Sequence, residues 1–165
     1  MQLNGLIYTF PKELKLLLIA FVIVLSIGFF TGLLFVNETS TANPNGIEEQ
    51  YLGNEDNEDA IEMKFKKTDK QMLNIVHSHI LSMALIFFLL GLILSTTQLQ
   101  YRYKVFLMVE PFISVILTFG GIYFLWKGIT WMKYVVMISG TLMTLSFSFS
   151  ALIILRQLLL QKKTE

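Results

Sequence analysis

The stretch Leu16–Val36, LLLIAFVIVLSIGFFTGLLFV, contains no acid, base or imidazole. At a rise of 1.5 Å per residue it reaches about 30 Å, the thickness of a bilayer's hydrocarbon core. Three more runs of this kind follow: Ile75–Ser95, Val105–Trp126 and Tyr134–Leu155. Only His77, His79 and Glu110 interrupt them with an imidazole or carboxylate. The sequence therefore predicts an all-α integral membrane protein with four transmembrane helices, over about 16–36, 69–97, 105–126 and 134–158. These form a single four-helix membrane domain, residues 1–165, with an acidic extracytoplasmic loop at 37–67.

Composition agrees. The chain is 54% hydrophobic and 15% charged, where soluble domains carry about 25% charge. The basic flank Lys12 and Lys15 precedes a core too long for a signal peptide. No small-x-small cleavage site follows it, so the first run reads as a retained anchor. There is no cysteine, which excludes disulfides, thiolate metal sites, iron–sulfur clusters and covalent c-type haem. No P-loop, GxSxG, HExxH or dinucleotide fingerprint is present, which weighs against an enzyme. No basic patch points to nucleic acid.

Charge distribution sets an expected orientation. Lys12 and Lys15, Arg102 and Lys104, and Arg156, Lys162 and Lys163 all fall on one side of an even number of spans. The positive-inside bias makes that side cytoplasmic, so both termini are expected there, in a cell inner or plasma membrane crossed several times. Tyr101, Tyr103, Tyr123, Trp126, Trp131 and Tyr134 sit at span ends, where interfacial anchors belong. Leu3, Leu6, Ile7 and Phe10 recur at helical spacing, which suggests a short helix lying in the inner headgroup layer.

Nine of the twelve acidic residues lie between Glu38 and Asp69. Asn43-Pro44 and Asn45-Gly46 are turn chemistry, and Glu48–Glu62 reads as a solvated acidic segment that fails the calcium-loop template. Ile61, Met63 and Phe65 alternate with charges, as in a short strand or an extended lead-in. Thr68-Asp69-Lys70-Gln71 is a capping box opening the second spanning helix. Asn37-Glu38-Thr39 matches the N-glycosylation pattern but lies close to the membrane.

Ionisable groups inside a bilayer are costly and tend to be functional. At about 100° per residue, His77 and His79 diverge and cannot both ligate one ion from an unbroken helix. They flank a polar arc of Gln71, Asn74, Ser78 and Ser82. The expected ligand or partner face is His77, Ser78, His79, Ser82 and Met83. His79 and Met83, four residues apart, form a possible copper pair, because Cu(I) favours imidazole and thioether. Haem b held by one histidine and a methionine is the related alternative. Glu110 is the intramembrane acid, on a stripe Glu110–Ser114–Thr118–Gly121 that should face protein. Small residues at Gly28 and Gly32, and at Gly140, Thr144 and Ser148, mark close helix packing.

The favoured reading is a non-catalytic subunit or partner of a larger membrane assembly, in contact with the lipid bilayer and with other membrane proteins or a second copy of itself. The runner-up is a haem- or copper-binding redox subunit using His77 or His79. The third is a proton- or ion-coupled carrier using Glu110.

Overall fold

The computed structural model describes residues 3–38, 43–55 and 62–160. Thr39, the acidic residues Asp56, Glu58 and Asp59, the strand position Ile61, and the tail bases Lys162 and Lys163 lie outside the described residues. Five α-helices and one 3-10 turn make up the fold, and the described residues contain no strand. We number the helices α1 (Lys12–Glu38), α2 (Pro44–Leu52), α3 (Asp69–Ser95), α4 (Tyr101–Trp126) and α5 (Met132–Leu159). All but α2 are long and apolar enough to cross a membrane. This is the all-helical, four-span architecture expected from the apolar runs.

The core is the triangle α3–α4–α5, with α4 against α5 as its most extensive contact. Burying apolar surface gives little drive between helices already in lipid. Packing and hydrogen bonds must hold them instead. The α4–α5 seam supplies both. A Cβ added at Gly121 would lie 2.9 Å from Val136 Cγ2, so glycine permits the close approach there. Thr118 and Ser139 share a hydrogen bond of 2.7 Å, and Glu110 bridges to Ser146.

Helix α1 stands apart. Only Val22 and Phe29 are buried along its 27 residues. Phe29 stacks on Phe147 of α5 with ring centroids 3.9 Å apart and planes within 3°, and meets Phe87 of α3 edge-on at 6.4 Å.

Each end of the bundle is closed. At the end bearing both termini, the 3-10 turn Leu6–Thr9 docks beneath the α3–α4 connection. Ile7 is fully buried, its amide bonds to the Thr96 carbonyl, and Lys104 Nζ donates to Asn4 Oδ1 and to the Ser95 and Thr97 carbonyls. The expected amphipathic helix in the headgroups is thus a short plug tied to protein. Four residues make a single turn, and the backbone carbonyls freed at the end of α3 supply nearer acceptors than lipid does.

At the other end, α2 lies across α4 and α5. Asn43 caps it, accepting from the Gly46 amide at 2.7 Å, and Pro44 occupies its first turn. Glu48 receives a 2.6 Å ion pair from Lys133, and Asn54 closes the following loop through both the Lys64 amide and the Glu62 carbonyl. Gly53 has φ +87°, and a Cβ there would meet the backbone of Lys66 at 2.8 Å and Lys64 at 2.9 Å, so the turn needs glycine twice over. The acidic loop is therefore partly a folded cap. Residues 62–67 form neither helix nor strand, and Met63 and Phe65 are exposed.

Candidate functional site

The Thr68 capping box forms as read: the Gln71 amide donates to Thr68 Oγ1 at 3.3 Å, and the Thr68 amide to Gln71 Oε1 at 2.9 Å. It fixes where α3 begins and hence the rotational position of everything after it. Trp126 reinforces that start by donating its indole N–H to the Lys67 carbonyl at 2.8 Å. Trp126 is buried, not a lipid-facing anchor, whereas Tyr101, Tyr103, Trp131 and Tyr134 are exposed. Lys127 adds a long ion pair to Asp69 at 3.8 Å and lies 4.3 Å over the Trp126 ring.

With the start of α3 set, its polar residues turn outward. Gln71, Asn74, His77, Ser78, His79 and Ser82 are all exposed, and Met83 is half-buried. Asn74 stands about 7–8 Å along the axis from Asp69 and Ser82 about 20 Å, so the series enters the apolar stretch that begins at Ile75.

Within that series the two histidines differ. The His79 ring rests against Phe119 of α4, centroids 4.9 Å apart, and its Nδ1 lies 2.8 Å from the Ile75 carbonyl. A carbonyl only accepts, so Nδ1 carries the proton and Nε2 is the nitrogen able to accept or ligate in the neutral ring. That fixed tautomer is the arrangement a metal-ligating histidine uses. Met83 is the one soft neighbour on its own helix, and no cluster of three His, Cys, Asp or Glu occurs among the described residues. His77 occupies a separate surface. The side chains of Asn74, His77 and Ser82 have no hydrogen-bond partner among the described residues, while Ser78 donates to the Asn74 carbonyl at 2.7 Å.

Glu110 is a second, enclosed site. It is buried, and its two carboxylate oxygens accept from Ser114 on the next turn of α4 and from Ser146 on α5. Ser114, Thr118 and Gly121 are buried on the same face. Pro111 lies inside α4 with no backbone donor of its own, so the Leu107 carbonyl loses its helical partner one turn before Glu110. Aliphatic Val115 and Met143 are buried in the same core.

The small residues fall elsewhere. Gly28 and Gly32 are exposed on α1, and a Cβ at either would meet nothing within 4 Å. Gly140, Thr144 and Ser148 are half-buried on α5. The Thr144 and Ser148 hydroxyls bond back to carbonyls of their own helix, and a Cβ at Gly140 also meets open space. The glycine that brings two helices close is Gly121.

A family comparison matches the capping loop and the three core spans: residues 41–165 fit the Aq_1264_TM model, described as a transmembrane helical domain. The chain belongs to the Aq_1264_TM family. No curated protein and no solved structure matches it. The part shared with the family begins after α1, the span that contributes least to the core.

Several of the residues that build these sites carry no sequence signal of their own. Lys104 reads as one more positive-inside charge, yet its ammonium bonds three oxygens. Glu48 reads as solvated, yet it holds Lys133. Gly53 and Asn54 fall in the segment read as solvated, yet the backbone of Lys64 and Lys66 folds back on them.

Proposed function

We propose that this protein is a non-catalytic subunit of a larger membrane assembly and that it joins its partner through the polar face of α3. The observation that carries this reading is the exposure of Asn74, His77, Ser78 and Ser82 on one spanning helix. Lipid tails cannot satisfy an amide, an imidazole or a hydroxyl, and such groups in spanning helices face protein or water. Three of these four side chains lack a partner within the described residues, so the complement comes from outside this bundle.

Glu110 acts in this proposal as a clamp between α4 and α5, because both of its oxygens are engaged by hydroxyls on those two helices. The membrane concerned is the cell's inner or plasma membrane, with both termini cytoplasmic, because that end carries seven of the thirteen basic residues, both arginines among them.

The test is the protein mass in polymer-bounded native membrane discs. The proposal expects particles holding more protein than one 19.0 kDa chain, and a lighter particle for the double variant Asn74→Leu, Ser82→Leu. Discs that contain one chain alone would overturn it.

A further inference from the structure

We infer that the occupant of the α3 face is a second copy of this chain, packed parallel about a two-fold axis normal to the membrane. This inference rests on the docking role proposed above for α3 and names the partner.

The exposed positions of α3 have a heptad rhythm. Asn74, Ser78, Leu81, Leu85, Phe88 and Leu92 are spaced alternately four and three residues apart, and all are exposed. The four apolar members are 59%, 60%, 53% and 50% exposed. A spacing of 3.5 residues is the seam of a left-handed helix pair, in which a and d side chains of one helix enter holes on the other. Assigning Ser78, Leu85 and Leu92 to a places Asn74, Leu81 and Phe88 at d.

Chemistry selects a second copy as the occupant. Copies inserted in the same direction bring α3 beside α3 in parallel, so each seam residue meets its own counterpart at the same depth. A carboxamide both donates and accepts, so Asn74 complements itself, and Ser78, whose hydrogen goes to the Asn74 carbonyl of its own helix, keeps lone pairs that accept from the partner's Asn74 or the partner's His77 side chain. The flanking positions agree. In a parallel pair, position g faces position e five residues further along the partner. His77 is g and Ser82 is e, so the imidazole of one copy faces the hydroxyl of the other. No Asp, Glu, Lys or Arg occupies an a, d or e position from Gln71 to Leu92, so the symmetry creates no like-charge repulsion within the seam. The polar groups that α3 exposes to lipid depth thus all fall on the interface of one symmetric pair. His79 is the exception, at b, where it rests on Phe119 of its own chain.

The chain has no cysteine, so single cysteines can report this seam without background. The experiment places cysteine at Ser78, Leu81, Leu85, Phe88 or Leu92 of the full chain and oxidises native membranes with copper phenanthroline. Ile138 and Leu142, exposed on α5, are the controls. The inference expects covalent dimers at the seam positions and few at the controls. Adding Asn74→Ala should lower the Leu81→Cys dimer about fivefold, the effect of losing one buried interhelical hydrogen bond. Asn74 is exposed, so that change leaves the fold of the chain intact. Seam and control positions that cross-link equally, or a seam that does not cross-link, would overturn the second-copy inference. In the second case the disc mass separates the two readings. Particles heavier than one chain retain the docking face with a different protein on it, and particles of one chain overturn both.

Discussion

Glu110 carries one of the polar contacts between α4 and α5, beside the Thr118–Ser139 bond. Glu110→Ala leaves the buried Ser114 and Ser146 hydroxyls without their acceptor, and we expect a loss of about 1–3 kcal/mol. Glu110→Gln keeps one acceptor oxygen and should lose less. Reversible unfolding in mixed micelles measures both, and an alanine variant as stable as the native chain would refute the clamp. Two glycines make a sharper contrast. Gly53→Ala places a Cβ against backbone at 2.8 Å in a left-handed turn, so it should loosen the cap by about 1–2 kcal/mol. Faster amide exchange at Asn54 and Lys67 would show it. Gly28→Ala meets open space and should leave stability unchanged or slightly raised. Sequence alone suggested the opposite emphasis, because GxxxG is a visible motif, whereas the demand on Gly53 arises only when residues 64–66 return to it.

The spans were legible because lipid solvates them uniformly: any run of about 20 apolar residues must be helical to satisfy its own backbone. The capping box was equally legible, being a local bond between residues three apart. What the periodicity did not disclose was which helices pack tightly. All four spans are apolar enough to cross a membrane, yet α1, the most apolar, is the least buried and reaches the core chiefly through Val22 and Phe29. The more polar spans are the more buried ones, because their hydroxyls and the Glu110 carboxyl need partners on neighbouring helices. Phe29→Ala should therefore free α1 while α3, α4 and α5 stay together, seen as greater mobility of a spin label on α1 with no change for one on α5. The cap carries a pH signature. Burial raises the Tyr51 phenol above its ordinary value of 10.0. The protonated form is the one that folding favours, so its contribution is intact below pH 10 and falls as pH rises past the raised value. Phenolate absorbance should show Tyr51 ionising only above its ordinary value of 10.0. Tyr51→Phe should remove the alkaline step.

At the scale of the whole molecule, two closed ends and a firm three-helix core leave one anomaly, a polar face on α3 turned out of the bundle. Its residues were visible in the sequence as an arc flanked by two histidines. Its direction was not, because helical periodicity gives relative angles and leaves the zero of rotation to tertiary contacts such as Trp126 to Lys67. That face is either lipid surface or protein contact, and the choice between them is the central claim. The direct measurement is oxygen accessibility of a nitroxide at Ser78 in native membranes, against one at Leu142, which lies at similar depth and is exposed on α5. The account predicts Ser78 to be shielded several-fold relative to Leu142. Equal oxygen collision at the two positions would mean that lipid covers α3, and the assembly role would fall with it.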